Sequence, residues 1–244
     1  FPTRRSSDLL PEQTDCLLLW QDKPVDPSCP APKEKSNYRK VLERFSPRER
    51  RLFLSLKTPA KIQDFLNTIP QNFEKEGETC KSPLSTMKTK SAHCMEGATL
   101  AVFILGLHGI EGKLLHLKAK RPDDDHVVVV FEEKGYVGAL SKTNHGVLRY
   151  REPVYESVRE LVMSYFHEYF LNTSGRKTLV SYSSLVSLAR FGTEWITTPR
   201  NLWNIDKALD KVKHTSLVPK HMQGRLRKAE LIERSMGKIV EWKK

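Results

Sequence analysis

The stretch Lys90-Ser91-Ala92-His93-Cys94-Met95-Glu96-Gly97-Ala98 delivers a thiol to the start of an apolar segment. The first turn of a helix presents unbonded N–H groups and the positive end of the helix dipole. A thiol placed there is biased towards the thiolate. A thiolate can attack an acyl carbonyl, and it needs an imidazole to hold the ion pair and to protonate the leaving group. His126, at the head of HVVVVF, is the candidate imidazole. His145 is an alternative base. The bland alternatives are a buried, inert cysteine and a histidine that merely ends a strand.

Elements of the right kind surround this pair. From Cys94 to Leu107 nearly every residue is apolar or small, which marks a core helix rather than a surface one. Ser91 is the expected N-cap and Gly109 the expected C-cap. Glu96 fits a first-turn dipole partner, and the His93 side chain is expected to point away from the thiol. Leu114 to Ala119 reads as a strand. His126 to Phe131 reads as a central strand buried on both faces, and Tyr136 to Thr143 as its hairpin partner. A short turn ending at Gly135 would put Ser141, Lys142 or Thr143 opposite His126, with Asn144 one step on. Asn144, and more weakly Ser141, could orient the imidazole. Asp123, Asp124 and Asp125 should face into the preceding loop.

Upstream, Ser46-Pro47-Arg48-Glu49 is a capping box with proline at the first helical position, and Thr58-Pro59 opens a second helix that Pro70 stops. Residues 73–90 read as polar loop. Glu152-Pro153 reads as the start of a long helix to about Phe170, and Leu202 to Val212 as a short one. Residues 216–244 read as a basic, weakly patterned tail. His167-Glu168 lacks the second histidine of a metalloprotease motif, and the segment Arg149-Tyr150-Arg151 is basic enough to meet an acidic substrate.

The ends and the composition set bounds. The first nine residues, FPTRRSSDL, read as a translated sequencing adapter (TTC CCT ACA CGA CGC TCT TCC GAT CTN) and stand outside the fold. Residues 10–36 are proline-rich and read as a mobile leader, which puts the domain at residues 37–215. The 244 residues carry a formal charge of +12, or +11 once the adapter's Arg4, Arg5 and Asp8 are set aside. The basic residues are dispersed and form no nucleic-acid motif, so a nucleic-acid function is not expected. No apolar run reaches the ~20 residues of a membrane span. The four cysteines Cys16, Cys29, Cys80 and Cys94 form no CxxC pair or zinc pattern. Reduced thiols and a cytoplasmic location are expected, although the sequence leaves a Cys80–Cys94 disulfide open. No cofactor or metal is expected, and the oligomeric state is open.

The motifs TPAKIQDFLNTIPQNFE, TCKSP, AHCMEGA, DDDHVV, ALSKTNHGVLRYREPVY and SYFHEYF resemble an uncharacterised bacterial family of transglutaminase-like proteins. The resemblance spans roughly residues 46–212. It implies an α+β fold with a papain-like core, in which the buried cysteine-bearing helix packs on an antiparallel sheet with flanking helices. It further implies Cys94 as nucleophile and His126 as base, acting on a peptide or protein amide as protease, amidase or acyl transferase. The family pattern puts an Asp on the strand after the His. Here that place falls among Ser141, Lys142, Thr143 and Asn144, none acidic. The alternative is therefore an inactive binding or scaffold protein that keeps the fold.

Overall fold

The computed structural model describes residues 34–243, so the stretch read as adapter and residues 10–33 of the leader, with Cys16 and Cys29, lie outside the described residues, whereas residues 34–36 open a helix instead of belonging to a leader. Five helices come first: α1 (Glu34–Leu42), α2 (Pro47–Ser55), α3 (Pro59–Thr68), α4 (Pro83–Thr89) and α5 (Cys94–His108). Strands β1 (Lys113–Ala119), β2 (His126–Glu133), β3 (Tyr136–Ser141) and β4 (Arg151–Tyr155) follow, then α6 (Val158–Phe166). The chain continues through β5 (Leu179–Ser183), β6 (Val186–Ser187), α7 (Trp203–Lys211), β7 (His214–Ser216) and α8 (Leu231–Gly237). The sheet runs β4-β3-β2-β1-β5-β7, with β6 also on β1, and every pairing is antiparallel. The fold is α+β.

Local chemistry starts most of the helices. Ser46 Oγ accepts the Glu49 N–H while the Glu49 carboxylate accepts the Ser46 N–H at 2.8 Å, the expected capping box. Thr58 caps α3 through the Lys61 N–H. Ser82-Pro83 repeats the same signature and starts α4 inside the stretch read as loop. The start of α5 differs from expectation, because His93, not Ser91, is its N-cap. At its far end Gly109 adopts the left-handed conformation, φ 76°, that closes a helix.

Two apolar layers sandwich the sheet. On one side α5 is buried along almost its whole length among Tyr38, Phe45, Phe53, Leu66 and Trp195, and against Val127, Val129 and Leu140 of the sheet. On the other, Val128, Val130 and Ala139 pack against Leu161, Val162 and Tyr165 of α6. The all-apolar run of β2 thus serves two faces at once. Gly97 lets α5 approach the end of the hairpin, since a Cβ there would lie 2.4 Å from Lys142 Cβ.

The hairpin turns on Lys134 (φ 52°) and Gly135 (φ 85°), both left-handed as a two-residue turn requires. That sets Glu133 opposite Tyr136 and Val128 opposite Ser141. Ser141 is therefore the diagonal neighbour of His126, on the same side of the sheet by alternation.

Downstream, Glu152-Pro153 does not open a helix. Residues 151–155 pair with β3 as an edge strand, where a proline is tolerated and Val154 stands exposed. The helix begins at Val158, after Ser157 accepts the Glu160 N–H at 3.2 Å. The segment read as a tail carries the last residue of β7 and all of α8, and returns to residues 144–146. Among the described residues no helix is long and apolar enough to cross a membrane.

Candidate active site

Cys94 is the first residue of α5 and keeps part of its surface exposed. Burial alone would push its thiol up. Hydrogen bonds from the His126 and His93 rings, with their charges, outweigh that and hold the thiol well below its ordinary range. Cys80 shows the contrast. It is buried without an imidazole, and desolvation and Asp206 push it up to about 12. Both thiols are free, so the disulfide left open by the sequence is absent.

The protons around His126 can be assigned from its partners. Its Nε2 lies 2.8 Å from Ser141 Oγ. The single hydroxyl proton of Ser141 goes to the Leu148 carbonyl at 2.5 Å. Ser141 Oγ must therefore accept, and His126 Nε2 must carry a proton. Nδ1 is the nitrogen left for the Cys94 sulfur. Gln63, buried on α3, clamps the Ser141 backbone at both ends: its amide accepts the Ser141 N–H and donates to the Ser141 carbonyl, each at 2.9 Å. Gln63 carries no sequence signal beyond being polar among the apolar positions of its helix. We expect Ser141→Ala to lower the rate of any His126-dependent reaction by about tenfold, the worth of one charge-assisted hydrogen bond. An unchanged rate in steady-state kinetics would dismiss the relay.

His93 was expected to face away and does not. As N-cap its backbone is extended (φ −94°, ψ −174°), which turns the ring over the first turn. Nε2 lies 3.0 Å from the Thr79 carbonyl and carries a proton, while Nδ1 accepts the Met95 N–H at 3.3 Å. Burial disfavours its charge. The bond to Cys94, the thiolate charge, Glu96 and the Thr79 carbonyl overcome this and push the imidazole up to about 9. Glu96, fully buried, anchors the arrangement. Its carboxylate accepts from the His93 N–H at 3.1 Å, the Lys81 N–H at 3.0 Å and Thr79 Oγ at 2.8 Å. Asn72 Nδ2 adds a bond at 3.0 Å and the Lys81 ammonium stands 3.6 Å away.

Asn144 is not brought to the imidazole as expected. Its amide pairs with the Trp242 backbone, donating to the carbonyl at 2.9 Å and accepting the N–H at 2.8 Å. His145, the alternative base, sets Nδ1 3.2 Å from the Gly237 carbonyl. The aspartates before His126 brace its loop. Asp125 accepts the Ala119 N–H at 2.7 Å and meets His116 at 3.2 Å, Asp123 accepts from Thr178, and the Asp124 carbonyl accepts from Tyr169. Arg151 is committed to Glu168 at 2.7 Å. A cavity of ≈150 Å³ opens beside His126, bounded by Thr143, His145, Tyr169 and Gly237. Among the described residues no group of His, Cys, Asp or Glu is arranged to hold a metal ion.

The structure thus sets the His126 and His93 rings to lower the Cys94 thiol, bonds His126 to Ser141, and gives Asn144 to the C-terminal segment. No family model matches the chain, and no curated protein matches it. Among solved structures it is similar to LapG of Legionella pneumophila in an EGTA-treated form, at 14% identity and a TM-score of 0.37. The likeness covers 65% of this chain and 92% of that one, and it is too distant to assign a function.

Proposed function

We propose that this chain is a transglutaminase-like thiol enzyme with a papain-like core, forming an acyl-thioester at Cys94 from an amide substrate. One observation carries the reading: two imidazoles converge on a partly exposed thiol at a helix start, and one of them is linked through Ser141 to a backbone carbonyl. An inert cysteine does not call for such an environment.

The chemistry follows from the proton positions. The thiolate attacks the amide carbonyl, and the C=O π electrons move onto oxygen. The N–H groups at the start of α5 face the developing oxyanion. An imidazolium at His93 donates through Nδ1 to the sulfur and releases the Met95 N–H, which then serves the oxyanion. His126, charged and donating through Nδ1, gives its proton to the departing nitrogen as the C–N bond breaks. It is then the base for water or an amine that attacks the thioester and restores the thiolate. Ser141 accepts from Nε2 throughout and fixes the ring, as a neutral stand-in for the carboxylate usual at that place. We place this activity in residues 37–215, with the acyl acceptor left to water or an amine.

Incubation with a panel of peptide aminomethylcoumarin amides should add an acyl mass to the peptide containing Cys94 and release the fluorophore. In Cys94→Ala both should vanish with an unchanged melting temperature. Amide turnover retained in that variant would sink the proposal. A panel with no acyl adduct, together with an ordinary thiol at Cys94, would favour the scaffold reading.

A further inference from the structure

Residues 237–242 are fastened to residues 144–146 through their own main chain, which meets the backbone of Asn144 and Gly146 and the side chains of Asn144 and His145. The Gly146 N–H donates to the Ile239 carbonyl and the Glu241 N–H to the Asn144 carbonyl, each at 2.9 Å. His145 and Val240 form an antiparallel bridge, and Asn144 grips the backbone of Trp242 on both sides. Only an isolated antiparallel bridge is formed, but the division of labour is the one by which proteins hold a peptide main chain, where backbone bonds supply affinity and side-chain pockets supply selectivity. The pocket at hand is the cavity beside His126, which Gly237 and His145 both border.

The seated segment is held with little apolar burial. Ile239 is 63% exposed, and α8 leading into it leaves Leu231 and Ile232 more than 70% exposed. Three buried polar atoms at this end of the fold have no hydrogen-bond partner among the described residues, Lys142 Nζ, Asn172 Oδ1 and Trp242 Nε1. Orphaned groups of this kind oppose the arrangement that buries them. The side-chain chemistry at Glu241 is specific, however. Its carboxylate meets the Arg149 guanidinium at 3.0 Å, and it is the carboxylate whose charge favours the buried Lys142 ammonium.

We infer that the segment Asn144, His145 and Gly146 is a binding site for a polypeptide stretch carrying a carboxylate, and that the chain's own residues 237–242 occupy it as a displaceable stand-in. Arg149 selects the acid, and the main chain of residues 144–146, with the Asn144 amide, takes the backbone on either side. That the bound segment is also a substrate rests on the thiol-enzyme reading, because the site borders the cavity that contains His126.

The test uses the full chain and a fluorescein-labelled peptide of sequence Gly-Lys-Ile-Val-Glu-Trp, read by fluorescence anisotropy. Glu241→Pro removes both the N–H given to Asn144 and the carboxylate at Arg149. Trp242→Pro removes the N–H given to the Asn144 side chain and guards against a folding defect peculiar to the first variant. An intramolecular occupant competes at an effective concentration near the millimolar range, so each variant should bind the peptide about tenfold or more tightly than the parent. The same peptide with Glu replaced by Gln should lose that gain. Equal, weak binding by the parent and both variants would overturn the inference, as would a Gln peptide that binds as well as the Glu one. The readout does not depend on Cys94. Peptide binding with an ordinary thiol profile would reject the enzyme reading and keep the binding site, while a reactive Cys94 without peptide binding would do the reverse.

Discussion

Replacing His126 by alanine is expected to cut amide turnover by about a thousandfold, within the range set by loss of a general acid–base. The loss should not be recovered at high pH, because the missing group is the proton donor to the leaving nitrogen. His93 makes the contrasting case. His93→Asn keeps an N-cap acceptor for α5 but removes the cation beside the sulfur. Its thiolate should form only towards the ordinary range, so its rate should fall at neutral pH and return as pH rises. Parallel pH–rate profiles of the two variants check the division of labour. Full recovery of His126→Ala at high pH, or none in His93→Asn, would contradict it.

The signs of the pH dependence follow from the same pair. The His93 imidazole is raised from 6.5 to about 9, so its contribution to stability is complete below 6.5 and is lost as pH climbs through about 9. The Cys94 thiol is lowered, so its contribution is present above the free-thiol range and is lost as pH falls through the lowered value. The thiolate–imidazolium pair should thus be fully formed between the lowered thiol value and about 9.

Glu96→Ala is expected to have the largest effect on stability. This carboxylate is fully buried, and it holds the backbone of His93 and Lys81, the hydroxyl of Thr79 and the amide of Asn72. Removing it takes the acceptor from the His93 and Lys81 N–H groups and the Thr79 hydroxyl, and the counter-charge from the Lys81 ammonium. Breaking a buried charge in this way costs about 3–5 kcal/mol. For a chain of this size that is on the order of 10 °C in melting temperature. The same variant should slow Cys94 alkylation at neutral pH, since Glu96 contributes to the charge of His93. A melting temperature within experimental scatter of the parent, by circular dichroism, would show that the network is not what holds the start of α5.

Much of this was legible in the sequence because the signals were local. The box at Ser46, the proline starts at 47 and 59, the apolar run of α5 and Gly109 each act within a few residues. Ser82-Pro83 carried the same signal and went unread inside a polar stretch. Glu152-Pro153 imitated a helix start, but pairing with β3 decided those residues, and the serviceable signal was Ser157 three residues before Glu160. The sequence put Ser141, Lys142 or Thr143 opposite His126 and favoured Asn144 to orient it, whereas the two-residue turn sets Ser141 opposite Val128, from where it meets His126 as a diagonal neighbour. His93 could not be found by helical spacing, because an N-cap has extended backbone and its ring is not where the helical wheel puts it. The departure of Asn144 to Trp242, nearly a hundred residues on, is a contact between distant segments with no local trace.

The most direct test of the account is the rate of Cys94 alkylation by iodoacetamide against pH, followed by mass mapping of the peptide that contains it, in the parent and in His93→Asn and His126→Ala. The account predicts a reactive plateau reaching well below the ~8.5 of a free thiol in the parent, displaced upward in both variants. An ordinary thiol profile, the same in all three proteins, would contradict it.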